Sequence, residues 1–317
     1  MIRFIALSLA LCLVSSDVRS KEFPERPVRL IVPLPPGGAT DVVARLLAQK
    51  LEAAWGQPVV LDHKPGGGTV IGAQAVASAP PDGHTLGIVI SAFTINPTLR
   101  KDLPYDTLKD FAPVTQIGNT LMALVGTPEA PADLNALVAA AKQRPGELAY
   151  ASLGVGTGTH LAGELLKMRA GIDLLHVPYA GSAPAYKDLL GGRVPLAFVL
   201  LQSALPHVRA GRLKVLGVTA AKRSEAYPEY PALAEQLPGF SVDSMFGLVA
   251  PGATPKALVA RIGSDAAAAL RDAALRAKYA ELGMDPVGSS PEAFGAFLRA
   301  EIAKWAPVVK ASGAKAD

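Results

Sequence analysis

The sequence contains a single cysteine, Cys12, among 317 residues. This cysteine lies in an apolar N-terminal segment, so the rest of the chain can form no disulfide of its own and must be stabilised by its core. The five histidines are scattered without the spacing of metal ligands, and no further cysteine is available to complete a metal site. We therefore expect neither a metal ion nor another cofactor.

Charged and aromatic residues are also scarce, at 18% and 6% of the chain, and the net charge is only +4. No cluster of Lys and Arg is present that could follow a phosphate backbone, so we expect no nucleic-acid partner. Half of the residues are apolar, which excludes a disordered chain. The length fits one large or two medium-sized α/β domains.

No apolar run is long enough for a membrane anchor. The run at residues 4–14 has about 11 residues, whereas a spanning helix needs roughly 20. Arg3 precedes this run, and the small residues Ser16 and Ser20 follow it. This order predicts a secretory signal peptide over residues 1–20, which is removed on export.

Short apolar runs alternate with amphipathic ones along the rest of the chain, a pattern typical of α/β sheets. The first half predicts strands at 28–34, 58–62 and 84–90 and helices at 41–55 and 71–79. Pro128 and Pro131 mark a break, after which the pattern returns, with strands at 147–152, 173–179 and 194–201 and helices at 133–143, 160–171 and 183–192. Two long helices are predicted near 256–280 and 291–311.

Two glycine-containing turns connect a strand to a helix, one in each half of the chain. Glycine lets a backbone approach a ligand, and the N–H groups of a first helical turn favour anions. In the first turn, the alternative is that Thr40 is a plain helix cap and Asp41 complements the helix dipole. The residues of interest are Gly37, Gly38, Thr40 and Asp41 in the first turn, and Ser152, Gly154, Val155, Gly156, Thr157, Gly158, Thr159 and His160 in the second.

Nucleotide binding and hydrolysis fit the second turn less well. Thr159 stands where a dinucleotide-binding motif needs its third glycine, and no Gly-Lys-Ser/Thr follows as in a P-loop. Ser152 and His160 are the only candidates for a nucleophile and a base, but no G-x-S-x-G elbow surrounds the serine. The turns therefore favour anion binding, with an enzyme as the less favoured alternative.

Nine segments of the chain together resemble one protein family, the Bug-type extracytoplasmic solute receptors, which are the substrate-binding proteins of tripartite tricarboxylate transporters. The similarity covers essentially all of the chain after residue 20, in the same order. The segments are "PVRLIVPLPPGGATDVVARLLAQKL", "GQPVVLDHKPGGG", "PPDGHTLG", "LPYDTLKDFAPVT", "ASLGVGTGTHLAGEL", "HVPYAGSAPAYKDLLGGRV", "SALPHVRAGRLKVLGVTAAKRS", "FGLVAPGATPKALV" and "EIAKWAPVVKASG".

This resemblance implies a type II periplasmic-binding-protein fold, in which two α/β lobes close on a ligand about a two-segment hinge. Domain 1 would comprise residues 21–123 and 247–317, and domain 2 residues 124–246. The implied protein is a periplasmic monomer and not an enzyme. It binds a small organic carboxylate and transiently contacts membrane transporter subunits, with delivery to a signalling partner such as a sensor kinase as the alternative.

The resemblance also implies that backbone N–H groups, hydroxyls and bridging waters hold the carboxylate. Val155 and Val199 stand where family members usually carry polar or charged residues. If both face the cleft, the pocket should prefer an aromatic or aliphatic carboxylate over an amino acid or citrate. The matching positions are Gly37, Gly38, Thr40, Asp41, Ser91 and Ala92 in the first lobe, and Ser152, Gly154, Gly156, Thr157, Gly158, Thr159, His160, Tyr179, Gly181 and Ser182 in the second.

Overall fold

The computed structural model describes residues 23–179, 181–224, 226–242 and 244–314, so the predicted signal peptide lies outside the described part. The strands are β1 (Val28–Val32), β2 (Val59–His63), β3 (Thr85–Ile90), β4 (Phe111–Thr120), β5 (Met122–Gly126), β6 (Ala149–Ser152), β7 (Leu175–Pro178), β8 (Leu196–Leu200), β9 (Lys214–Val218), β10 (Ser244–Pro251) and β11 (Met284–Pro286). The helices are α1 (Ala39–Trp55), α2 (Val70–Ala77), α3 (Ala92–Leu99), α4 (Leu134–Gln143), α5 (Gly158–Ala170), α6 (Ser182–Leu190), α7 (Leu201–Arg209), α8 (Lys256–Leu270), α9 (Ala273–Glu281) and α10 (Pro291–Ser312).

Helix α1 shows how the apolar pattern determines these elements. Val43, Leu47 and Leu51 recur at intervals of four residues and are all buried in the core. The helix ends at Gly56, which adopts a left-handed conformation and donates its N–H to the carbonyl of Glu52. Glycine is the residue that adopts this conformation at least cost, so the sequence itself predicts where α1 ends.

The strands form two sheets with the same arrangement, which together make two lobes. One sheet has the order β11-β4-β10-β3-β1-β2 and the other β7-β6-β8-β5-β9. In each sheet three parallel strands are followed by an antiparallel one, β10 beside β3 and β5 beside β8. Open α/β sheets bind ligands outside the carboxyl ends of their parallel strands, so two such edges are available here.

The chain passes between the lobes next to β5 and β10. Leu121 lies between β4 of the first sheet and β5 of the second, and its backbone is bonded to both lobes. Its N–H donates to Gly283, and its carbonyl accepts from Leu201. The predicted domain boundaries at 123/124 and 246/247 fall inside β5, which belongs to the second sheet, and inside β10, which belongs to the first.

Helix α10 packs on both lobes. Phe294 near its beginning is buried with residues of the first sheet, whereas Trp305 near its end is buried in the core of the second lobe beside α5. The prediction that residues 247–317 belong wholly to domain 1 therefore does not describe the end of α10. One helix that contributes to two cores also links them mechanically.

The predicted alternation of strands and helices agrees with the structure, with two kinds of difference. The single helix predicted over 256–280 is two helices, because Asp272 begins α9 as an N-cap whose side chain accepts the N–H of Leu275. Strands β4, β5, β9, β10 and β11 and helices α3 and α7 were not predicted; Pro97 and Pro206 lie inside the two helices. Within the described residues, no helix combines the length and the apolar character that crossing a membrane requires.

Candidate functional site

A cavity of about 560 Å³ lies between the two sheets, at the carboxyl ends of strands from both lobes. The first lobe contributes the start of α1 and the end of β3, and the second contributes the turn after β6 and the end of β8. The lining residues are Ala39, Thr40, Gly68, Thr69, Ile90, Ser91, Ala92, Ile95, Asn96, Leu99, Arg100, Thr120, Met122, Leu153, Val155, Gly156, Thr157, Gly158, Thr159, Leu200, Ser244, Phe246 and Leu282.

The structure brings eight of the predicted site residues to this cavity and leaves ten outside its lining. The eight are Thr40, Ser91, Ala92, Val155, Gly156, Thr157, Gly158 and Thr159. The ten are Gly37, Gly38, Asp41, Ser152, Gly154, His160, Tyr179, Gly181, Ser182 and Val199. Several of the ten form hydrogen bonds that position the lining residues, on the side away from the cavity.

Asp41 shapes the first turn and does not face the cavity. Its buried carboxylate accepts the N–H of Gly37 at 3.1 Å, accepts from Arg45 at 3.1 Å and lies 2.8 Å from Nε2 of His63. Burial opposes ionisation, but these hydrogen bonds outweigh it and hold the pKa of Asp41 below its usual value. A carboxylate satisfied in this way fixes the turn without offering its charge to a ligand.

The helix-cap alternative for Thr40 is wrong. Gly38 is the N-cap of α1, and Thr40 lies inside the helix and lines the cavity. Gly37 has a φ of +89°, which explains the glycine there, whereas Gly38 has a φ of −87° that other residues adopt equally well. Both glycines are exposed, and they lie beside the cavity and not on it.

Most N–H groups of the second turn are used within the turn itself. Leu153 donates to Oγ1 of Thr159 at 2.9 Å, Gly154 to Oγ of Ser152 at 3.3 Å, and Gly156 to Nδ1 of His160 at 3.0 Å. The expectation that Gly154 and Gly156 present their N–H groups to a ligand is therefore corrected. The first residues of α5, Gly158 and Thr159, keep N–H groups with no acceptor in the described part of the chain.

Two histidines behind this turn are stacked and neutral. The rings of His160 and His176 are 4.0 Å apart. Burial, with the nearby Lys167 charge, lowers the pKa of His160 to about 4. Burial and the neighbouring His160 lower the pKa of His176 to about 4. A neutral His160 can accept the Gly156 N–H at Nδ1, so it positions the turn.

Ser152 is paired with His176 and not with His160. Its Oγ lies 2.7 Å from Nε2 of His176, but the residue is fully buried. A nucleophile must reach the substrate, and this hydroxyl does not border the cavity. The Ser152 and His160 arrangement proposed as the enzyme alternative is therefore not assembled.

The remaining predicted residues lie away from the cavity. The hydroxyl of Tyr179 donates to Asp188 at 2.9 Å, and Ser182 is exposed. Val199 is 1% exposed and packs in the core of the second lobe, so the expectation that it faces the cleft is wrong. Its neighbour Leu200 lines the cavity instead, because successive side chains of a strand point to opposite faces.

Three helices from the two lobes begin at the cavity, and apolar side chains form much of the rest of its walls. The first residues of α1, α3 and α5 all line it. Ile95, Leu99, Met122, Leu200 and Phe246 provide much of the remaining surface. N–H groups at helix N-termini favour an anion, and each helix end contributes roughly 0.3–2 kcal/mol.

Several cavity residues were not identified from the sequence. Gly68 and Thr69 precede α2, and the amide of Asn96 donates to the carbonyl of Gly68 at 3.0 Å. Arg100 follows α3 and is the only charged residue among the described residues that line the cavity. The "KPGGG" segment signals the first loop, but α3 itself was not predicted, so its polar residues could not be assigned.

No group of three or more His, Cys, Asp or Glu side chains that could hold a metal ion occurs among the described residues. The polar groups at the cavity are instead backbone N–H groups, hydroxyls, one amide and one guanidinium. This set of donors suits an anionic organic ligand better than a cation.

The model of the tripartite tricarboxylate transporter family receptors matches residues 43–314. The chain belongs to this receptor family. Protein BugT of Bordetella pertussis is 37% identical over 315 residues, which cover 98% of this chain and 97% of BugT. The receptor fold, with its two lobes, is thereby confirmed together with the family resemblance.

Two solved structures show receptors of this type with acids bound. The R. palustris protein Rpa4515, solved with adipate, is 36% identical with a TM-score of 0.77, over 93% of this chain and 99% of that chain. MatC from Rhodopseudomonas palustris, solved with bound malate, is 31% identical with a TM-score of 0.72, over 90% of this chain and 100% of that chain. The two ligands named are both dicarboxylic acids.

Proposed function

We propose that this receptor is exported to the periplasm, captures a small organic carboxylate between its lobes and delivers it to the membrane subunits of a tripartite transporter. The observation that carries the proposal is the convergence of the N-termini of α1, α3 and α5 on one cavity whose described lining residues include no acidic side chain. The adipate and malate complexes of its relatives support the same ligand chemistry.

The carboxylate would be held from both lobes. In the first lobe, the N-terminal turn of α1 is fixed by Asp41 and offers the N–H groups and the hydroxyl of Thr40. In the second, Gly158 and Thr159 at the start of α5 face the same cavity. A ligand bound to both helix ends connects the lobes and favours the closed arrangement.

The apolar walls favour a ligand with an aliphatic or aromatic body. A hydroxyl or ammonium group against Leu200 or Phe246 would lose its hydrogen bonds to water, which costs roughly 1–3 kcal/mol. Apolar surface instead gains about 25 cal/mol per Å² on burial. We therefore expect aspartate, glutamate and citrate to bind more weakly than an aliphatic acid of similar length.

We also propose that the receptor acts as a monomer. It would bind its ligand without transforming it, since Ser152 is buried away from the cavity.

Thermal unfolding with a panel of acids tests the proposal. A ligand at 100 times its Kd adds about 2.7 kcal/mol to the free energy of unfolding, so the melting temperature should rise with hexanoate or adipate. Hexanamide, which has the same body without the charge, is the control and should leave the temperature unchanged. Equal stabilisation by the acid and the amide would contradict anion binding.

A further inference from the structure

Arg100 is the one charged side chain among the described residues that line the cavity. Its Nε is buried and makes no hydrogen bond. Leaving a buried guanidinium N–H unsatisfied is costly, and Arg is the side chain best suited to bind a carboxylate through paired hydrogen bonds. The ligand cannot reach the buried Nε itself, but a carboxylate in the cavity can pair with the Nη groups of the same guanidinium, one of which lies beside Gly68 of the cavity lining.

The guanidinium of Arg100 lies at a different part of the cavity from the start of α3. Arg100 caps the C-terminal end of α3, whereas Ala92 begins the same helix, so the two ends of α3 offer different groups to the cavity. The guanidinium packs over Gly68, where a Cβ would lie 3.1 Å from Nη2. Between these ends, Ile95 and Leu99 present apolar side chains.

The simplest alternative is that Arg100 only complements the dipole of α3. A cation near a helix C-terminus is favourable. That role needs the charge but not a place at the cavity, and Lys101, one residue further on, could fill it because it is exposed and does not line the cavity. The alternative therefore does not explain why the arginine lines the cavity.

We infer that Arg100 binds a second anionic group of the ligand, so that the receptor takes a dicarboxylate with an apolar spacer. One carboxylate lies on the N–H groups of α1 and α5, and the other pairs with the guanidinium of Arg100. The spacer lies against the apolar wall between them. This inference rests on the proposed function and adds the class of acid to it.

Calorimetric titration with adipate and with hexanoate tests the inference, because the two acids share six carbons and differ in one carboxylate. The wild type should bind adipate at least about tenfold more tightly, as expected for a charge-assisted pair. Arg100→Met should remove this difference by weakening adipate binding much more than hexanoate binding. Lys101→Met removes the same charge outside the cavity and should preserve the difference.

Arg100→Lys keeps the charge but not the paired donors, so it should give an intermediate adipate affinity and remains informative if Arg100→Met folds poorly. Adipate binding that is unchanged in Arg100→Met, or a wild type that binds hexanoate as tightly as adipate, would overturn the inference and leave the proposed function standing. A wild type that binds neither acid would overturn the proposed function itself.

Discussion

Gly156 should control affinity more than stability, because it lies where the two lobes meet. Its φ is +75°, and a Cβ at this position would lie 3.0 Å from Cδ2 of Leu99, a residue of α3 in the first lobe. Gly156→Ala therefore has two effects. The backbone strain costs roughly 1–2 kcal/mol in any arrangement of the lobes. The contact with Leu99 adds a penalty only when the lobes are closed.

The closed-state penalty sets the expected change in affinity. Relieving the contact requires Leu99 to move by a few tenths of an ångström in a packed region, and such overpacking costs roughly 1–3 kcal/mol. A ligand that binds the closed arrangement must overcome this cost, so its affinity should fall roughly 5- to 150-fold. Gly192 is a matched control, because its φ is +72° and a Cβ there meets nothing within 4 Å.

Both variants should lose similar stability in denaturant titrations without ligand, and only Gly156→Ala should lose affinity in calorimetry with adipate. An unchanged affinity in Gly156→Ala, or an equal loss in Gly192→Ala, would refute the view that this turn closes against α3.

Three further predictions concern residues behind the cavity. Asp41→Ala leaves the Gly37 N–H without its acceptor and should cost roughly 1–3 kcal/mol of stability, measured by denaturant unfolding, together with part of the affinity. Val199→Asp places a carboxylate in the core, so it should lower the melting temperature strongly without admitting an amino acid in calorimetry. Stability should fall as the pH drops from about 6.5 to about 4, because the unfolded chain binds protons at histidines whose pKa values are lowered to about 4 in the folded protein. In His160→Asn, the free energy of unfolding measured with denaturant should therefore depend less on pH in this window.

The positions of the two glycine turns could be predicted from the sequence, because glycines between an apolar strand and an amphipathic helix form a local pattern. The sequence could not show which N–H groups of the second turn stay available to a ligand. That depends on His176 stacking on His160, and the contact forms because β6 and β7 pair so that Tyr150 lies beside His176. Pairings between distant segments leave no local signal in a single sequence.

The wrong expectation for Val199 has a similar cause. Residues 194–201 form a continuous apolar run, as is usual for a strand covered on both faces, so no alternation shows which side chains point to the cavity. Arg100 was missed because α3 is a short helix with Pro97 inside it, a residue that normally argues against a helix. Sequence patterns therefore predicted the architecture and the turns better than the direction of individual side chains.

The central claim is that N–H groups from both lobes bind one carboxylate in the cavity. A titration of the ¹⁵N-labelled mature protein with adipate, followed by amide chemical shifts, tests it most directly. The account predicts large, saturable shifts at Thr40 in α1 and at Gly158 and Thr159 in α5, all with the same apparent Kd. Shifts at one lobe alone, or saturable shifts that leave these three amides unchanged, would contradict it.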